Sequence, residues 1–276
     1  MNTPTEWIEA PDYEAIKGKQ RTTWSAGDYA RIGTTLQIVG EELAEALAAS
    51  PGARALDVAA GNGNVTLALA RRWCRVTSTD YAEANLENGR ARAGAEGHDV
   101  AFQVADAERL PFGDGEFDVV ASSFGVMFTP DQESAASELV RACRSGGRIG
   151  LANWTPEGFV GRMFQTLGRH VPPPAGVASP ARWGTRAFVD ERFGDAAADV
   201  SFRRKHFLFV YPSPEHFLDF FRTYYGPMQK AFEALDEDGQ DQLRADLLSL
   251  VAELNQATDG TMRVPAEYAE IVVTKA

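Results

Sequence analysis

The stretch from Ala55 to Arg72, Ala-Leu-Asp-Val-Ala-Ala-Gly-Asn-Gly-Asn-Val-Thr-Leu-Ala-Leu-Ala-Arg-Arg, leaves the chain few ways to fold. Its first residues form a short apolar run suited to a buried strand. Gly61-Asn62-Gly63 is turn chemistry, and from Val65 apolar residues recur on one helical face. Two glycines let the backbone approach a ligand with no Cβ in the way. The helix starting behind them aims N–H groups and a partial positive charge at an anion. Asp57, at the strand end, adds an acceptor for a cation or a bound water, so the turn suits a ligand carrying both a carboxylate and an ammonium. Two other readings stay open. Such turns also occur as empty scaffold, and a dinucleotide site wants G-x-G-x-x-G/A, for which the third small position, counted from Gly61, falls on Thr66.

The same alternation continues. Arg75-Val-Thr-Ser-Thr reads as a second strand ending in Asp80-Tyr81. A carboxylate about 20 residues past a glycine turn, at the next strand end, can accept from both hydroxyls of a ribose. Asp80 could instead cap the Ala- and Glu-rich helix expected over 83–95. Val100 to Ala105 is a third strand, followed by Asp106-Ala107-Glu108 and Leu110-Pro111-Phe112. Phe117 to Phe124 is nearly continuous in apolar residues, as a parallel strand covered on both faces should be. Thr129-Pro130-Asp131-Gln132 predicts a capping box, with Thr129 as cap, opening a helix to Arg144 that Ser145-Gly146-Gly147 ends. Arg148 to Trp154 is a fifth strand. Five strand–helix units in succession predict a doubly wound α/β sheet with right-handed crossovers and a crevice at the strands' C-terminal ends. Asp57, Gly61, Asp80, Asp106 and Phe124 all fall at such ends.

Taken together, these segments resemble class I S-adenosylmethionine-dependent methyltransferases, of the small-molecule type found in ubiquinone and menaquinone biosynthesis. The glycine turn resembles their motif I, with Ala59 where a glycine is usual and Gly61 and Gly63 where the next two stand. The Asp106 string resembles the family's D-A-E-x-L-P-F signature, and Phe117-Asp118-Val119-Val120 fits its fourth strand. The likeness runs from about Ser25 to Trp154 and again over the last strand. It implies a Rossmann-like, mostly parallel seven-stranded sheet with an antiparallel last strand and an N-terminal helical segment. It also implies S-adenosyl-L-methionine as cofactor, held by Asp57, Ala59, Gly61 and Gly63 at the turn, and by Asp80 and Tyr81 at the ribose. Asp106 and Ala107 would take the adenine, and Ser123 and Phe124 would line the junction of donor and acceptor. A carboxylate accepts from the exocyclic amine and a backbone N–H satisfies a ring nitrogen, although Asp106 could also simply close an Asx turn.

A helix is expected over Ser25–Ala48, where Ile32, Leu36, Val39, Leu43 and Leu47 recur at three- and four-residue spacing before Ser50-Pro51-Gly52. In the family such a segment closes over the donor, which makes Trp24 and Tyr29 cofactor contacts, unless both only pack the helix onto the domain. Trp7 to Gln20 reads as a short surface helix. Beyond Trp154 the pattern changes. A short helix over 159–167, a proline-rich loop from Val171, an irregular stretch over 178–184, a sixth strand over 199–211, a helix from Ser213-Pro214 to Gly226-Pro227, a helix over 240–255 and a last strand over 268–274 are expected. The chain is expected to be a single domain, 1–276, with a donor-binding core at 25–154 and a substrate lid at 155–198 and 212–265. Aromatic residues are dense in that lid, which points to an apolar or aromatic acceptor, although an aromatic stripe is also ordinary core.

The net charge of −12, from 39 acidic and 27 basic residues, opposes binding to nucleic acid or anionic membrane surfaces. The basic run Arg203-Arg204-Lys205 suits a solvated strand face. Cys74 and Cys143 have no C-x-x-C spacing, so neither zinc nor a disulfide framework is expected, and both should be buried and reduced. With no basic-then-apolar N-terminal segment and no run of about 18 apolar residues, a cytoplasmic protein without membrane insertion is expected. A methyl group on a sulfonium needs no metal, only a nucleophile held in line and water kept out. For an acceptor that must lose a proton, His170, His206, His216, Glu157 and Tyr225 are the available groups, none with a motif around it. Three functions therefore remain: methyl transfer to a small organic acceptor at O, C or N; an S-adenosylmethionine-binding protein that transfers no methyl; and an NAD-dependent oxidoreductase, which Thr66 and the Asp106 string fit poorly.

Overall fold

The computed structural model describes residues 11–25 and 28–276. Of the expected N-terminal elements, residues 7–10 of the surface helix and residues 26–27 of the long helix lie outside the described residues. Seven strands form one sheet: β1 (Arg54–Val58), β2 (Arg75–Asp80), β3 (Ala101–Val104), β4 (Phe117–Ser123), β5 (Cys143–Trp154), β6 (Ala197–Tyr211) and β7 (Met262–Lys275). Their order is β3-β2-β1-β4-β5-β7-β6. The first five pair in parallel, while β7 runs antiparallel to both β5 and β6. The sheet is doubly wound, and its strand order reverses beside β1, between β2 and β4, where a crevice must open.

Helices cover both faces: α1 (Tyr13–Trp24), α2 (Tyr29–Gly33), α3 (Gln37–Leu47), α4 (Asn64–Ala70), α5 (Glu83–Ala95), α6 (Gln132–Ala142), α7 (Phe159–His170), α8 (Arg186–Phe193), α9 (Pro214–Tyr224), α10 (Gly226–Glu233) and α11 (Glu237–Leu254). The core is one apolar cluster reaching from Leu43 and Leu47 under the sheet, through the buried faces of β1, β4 and β5, to Phe209, Phe217 and Phe221 on the other side. No described helix is long and apolar enough to cross a membrane. Both cysteines are free and buried, and burial pushes the Cys143 thiol up to about 11.

Three local expectations are corrected. The single helix over 25–48 is broken into α2, a 3-10 turn at Thr34–Leu36, and α3. Thr34 and Thr35 return their hydroxyls to the carbonyls of Ala30 and Ile32 at 2.9 and 2.7 Å, competing with the helical ladder. Asn64 Nδ2 donates to the Gly33 carbonyl at 2.7 Å, so α2 is tied to the glycine turn and cannot continue the axis of α3. Asp131, not Thr129, caps α6. Its carboxylate accepts from the Ser134 N–H at 3.0 Å, while Thr129 turns its hydroxyl to the Val126 carbonyl at 2.8 Å. Ser145-Gly146-Gly147 does not end that helix; β5 already begins at Cys143, and the register slips between Phe117↔Cys143 and Val119↔Arg148 to accommodate these residues. Beyond Trp154, α8 and α10 are additional helices that weak apolar periodicity in the sequence did not reveal.

Candidate functional site

At the C-terminal ends of β1, β2 and β4 lies a cavity of about 860 Å³. Its floor is the turn after β1. Ala59 and Gly61 both adopt left-handed backbone (φ 52° and 58°), a conformation that glycine tolerates and alanine enters at a cost of about 1 kcal/mol. The turn is held from behind: the Gly61 N–H donates to Asp80 Oδ2 at 2.9 Å, and Gly63, at φ 82°, begins α4. Gly63 does not line the cavity; Ala59, Ala60, Gly61 and Asn62 do. On the far wall Gly125 packs so closely that a Cβ there would sit 2.2 Å from the Ala59 carbonyl oxygen.

Four carboxylates line this cavity, those of Asp57, Asp80, Asp106 and Glu108, each already anchored. Asp57 Oδ2 accepts from the Thr66 N–H at 2.8 Å and its hydroxyl at 2.6 Å, which turns the first turn of α4 toward this internal anion. The expected free N–H groups of the helix start are in this part spent on Asp57 and Asp80. Asp57 Oδ1 is buried without a partner, and the residue is 1% exposed. Burial, opposed by the Thr66 bonds and aided by the Asp80 charge, pushes this carboxyl up to about 7. Asp80 also carries its own turn, its Oδ1 accepting from the Ala82 N–H at 2.8 Å, so it tethers the start of α5 as well as the Gly61 turn. Burial raises its pKa and those backbone donors oppose the rise. A carboxylate has roughly four acceptor positions, so both groups retain capacity toward the cavity.

Asp106 closes the Asx turn, accepting from the Glu108 N–H at 2.9 Å, and its other oxygen accepts from Lys17 Nζ at 2.8 Å. Lys17 also meets Glu108 at 3.0 Å and Glu14 at 2.8 Å. Burial alone would lower the Lys17 pKa, but the three carboxylates outweigh it and raise it. Glu108 in turn accepts from the Asp131 N–H at 2.8 Å, joining α1, the Asp106 string and α6. Tyr81, Ala107, Ser123, Phe124, Trp24 and Tyr29 also line the wall.

A second chamber of about 360 Å³ shares Trp24, Tyr29, Leu36, Phe124 and Phe128 with the first. Phe124 stacks on Trp154 at 3.9 Å, and Trp24 meets the edges of Tyr29, Phe128 and Tyr225 at centroid distances of 5.7, 4.9 and 5.7 Å. The rest of its wall comes from Ile32 of α2, Trp154 of β5, α7, β6, α9 and Tyr225. Of the acid–base residues named from sequence, only Tyr225 lies here. His170 pairs with Asp246 at 2.8 Å between α7 and α11. His206 stands on β6 with its side chain 58% exposed, His216 stacks on Phe220 near the start of α9, and Glu157 is exposed.

Comparison with known proteins agrees with this geometry. A family model described as a methyltransferase domain matches residues 56–151. An uncharacterised protein of Mycobacterium bovis is 36% identical over 266 residues, covering 95% of this chain and 94% of the relative. A demethylmenaquinone methyltransferase of Beutenbergia cavernae is 39% identical over 129 residues, 45% of this chain and 52% of that enzyme. Residues 56–151 place the chain in the methyltransferase-domain family, and the sheet is that of the class I methyltransferase fold. The crystal structure of a putative methyltransferase from Bacillus halodurans superposes with a TM-score of 0.58 over 84% of this chain and 96% of its own, at 21% identity, and shares the fold.

For a methyltransferase-family cavity the donor set fits its co-substrate on one observation above all: Asp57, which lines the cavity, keeps a buried carboxylate oxygen with no partner in the protein. Several wall residues escaped sequence reasoning, among them Asn62, Asn85, Phe128 and, from α1, Lys17 and Gln20. Gln20 donates to the Phe128 carbonyl at 3.1 Å. The signal was present, since Tyr13, Lys17, Gln20 and Trp24 recur at four- and three-residue spacing on one face of α1. Its polar members, however, hide it from a search for apolar periodicity.

Proposed function

We propose that this protein transfers a methyl group from S-adenosyl-L-methionine to a small apolar or aromatic acceptor seated in the inner chamber. The observation that carries the proposal is the junction at Phe124, where a cavity lined by four anchored carboxylates adjoins a chamber walled by aromatic and aliphatic side chains. In this reading Asp57 Oδ1 accepts from the donor's ammonium, Asp80 holds the ribose hydroxyls with Tyr81 beside it, and Asp106 with the Ala107 N–H takes the adenine edge. Bound there, the donor supplies a methyl group already activated on a sulfonium. The chain then has to orient the acceptor and keep water away from it. Trp24, Phe128 and Tyr225 do so by closing the chamber, with residues 155–198 and 212–265 as the lid and 25–154, joined by α1, as the donor-binding core. Isothermal calorimetry with S-adenosylhomocysteine, followed by a search for its formation from S-adenosylmethionine over a panel of phenols and quinols, tests the proposal. Binding of NAD in place of S-adenosylhomocysteine would sink it.

A further inference from the structure

If the proposed methyl transfer holds, the inner chamber also specifies the chemistry of its acceptor. Tyr225, on the connection between α9 and α10, is 5% exposed and lines the chamber beside Tyr29. Among the described residues nothing hydrogen-bonds to either phenol. Tyr225 is perturbed by burial and then by its neighbour Tyr29, and Tyr29 by burial and then by the Asp80 charge. Both are pushed up, Tyr29 to about 12, so at neutral pH they are hydrogen-bond donors and cannot serve as bases. The described residues lining the chamber include no aspartate, glutamate, histidine, lysine or arginine.

Two phenolic donors, joined by the indole N–H groups of Trp24 and Trp154, in a chamber wall without a charged side chain leave one requirement unmet, an acceptor atom. An ammonium group would find no carboxylate in the chamber and would face the like charge of a bound sulfonium. An oxygen anion meets the opposite conditions: phenolic donors on one side and a positive charge on the other. We infer that the acceptor is an oxygen acid on an apolar ring body, a phenol or enol that binds as its anion, and that Tyr225, with Tyr29, is a positioning residue that hydrogen-bonds its oxygen. Its proton is lost to solvent before binding, because the chamber wall offers no group to receive it.

Tyr225→Phe tests this without relying on turnover. The hydroxyl bonds nothing in the protein, so the melting temperature and the calorimetric affinity for S-adenosylhomocysteine should match wild type. In the S-adenosylhomocysteine-saturated wild type, 4-nitrophenol should bind about tenfold more tightly than nitrobenzene, the worth of one hydrogen bond to a charged group. That preference should shrink several-fold in Tyr225→Phe and vanish in the Tyr29→Phe/Tyr225→Phe double variant. With sinefungin, whose ammonium stands in for the sulfonium, bound 4-nitrophenol should show the phenolate absorption band at about pH 5.5, where the free compound is protonated. An equal preference in wild type and double variant, or no binding of 4-nitrophenol, would overturn the acceptor assignment while donor binding persists. Failure of wild type to bind S-adenosylhomocysteine would instead remove the proposed function itself.

Discussion

Replacing Asp57 by asparagine exposes a conflict built into the donor cavity. Burial pushes this carboxyl from its ordinary 3.8 up to about 7, against the two bonds from Thr66 and with the help of the Asp80 charge. Between those two values the folded chain holds a proton that the unfolded chain has released. The stability associated with the neutral carboxyl is therefore complete below about pH 4 and is lost as pH rises through about 7. At about 1.4 kcal/mol per unit, wild type loses roughly 2–3 kcal/mol through this one group between pH 5 and pH 8. Asparagine cannot ionise and keeps an oxygen for Thr66. Its amide N–H₂ at the orphaned position adds a cost of about 1–3 kcal/mol, but that cost does not change with pH. Urea unfolding of both proteins at pH 5 and pH 8, without ligand, isolates the term: relative to wild type the variant should gain about 2–3 kcal/mol on going to the higher pH. The same substitution should weaken S-adenosylhomocysteine binding at pH 8, where the ionised carboxylate faces the ammonium. An identical stability difference at the two pH values would show that Asp57 does not titrate in this window and would refute the reasoning.

Asp80→Ala should weaken S-adenosylhomocysteine binding by about 1.5–3 kcal/mol and also lower the melting temperature, since Gly61 and Ala82 lose their acceptor; an unchanged calorimetric affinity would mean that the ribose lies elsewhere. Lys17→Met leaves Asp106 and Glu108 facing each other without a cation and should cost about 1–3 kcal/mol while loosening α1 over the cavity; differential scanning calorimetry showing no change would make α1 a passive neighbour. Gly125→Ala forces a Cβ to within 2.2 Å of the Ala59 carbonyl oxygen, and overpacking against backbone should cost at least about 2 kcal/mol and abolish donor binding. Wild-type affinity in that variant would contradict the described shape of the turn.

The order of strands from β1 to β5 was legible in the sequence because runs of strand-forming residues bounded by turn residues recur; the five expected strand–helix units are corrected at β3, a largely exposed strand that leads through the Asp106 turn to β4 with no helix between them. The antiparallel last strand followed from the family resemblance and is seen in the pairing of β7 with β5 and β6. Residues placed at strand ends by that order, Asp57, Gly61, Asp80, Asp106 and Phe124, converge on one cavity because parallel strands deliver all their C-terminal ends to the same edge. What sequence could not supply was the state of those residues. Whether Asp57 is charged depends on how completely later elements cover it, and the partner that grips Asp106 comes from Lys17, 89 positions earlier. Nor could histidine content locate the acceptor's neighbours. His170, His206 and His216 stand away from the chamber, while Tyr225 reaches it because the connection from α9 to α10 packs its ring against Trp24 of α1. Local patterning determines elements and their succession; burial, desolvation and the meeting of distant side chains arise only when those elements pack, and in this protein they decide the chemistry of the site.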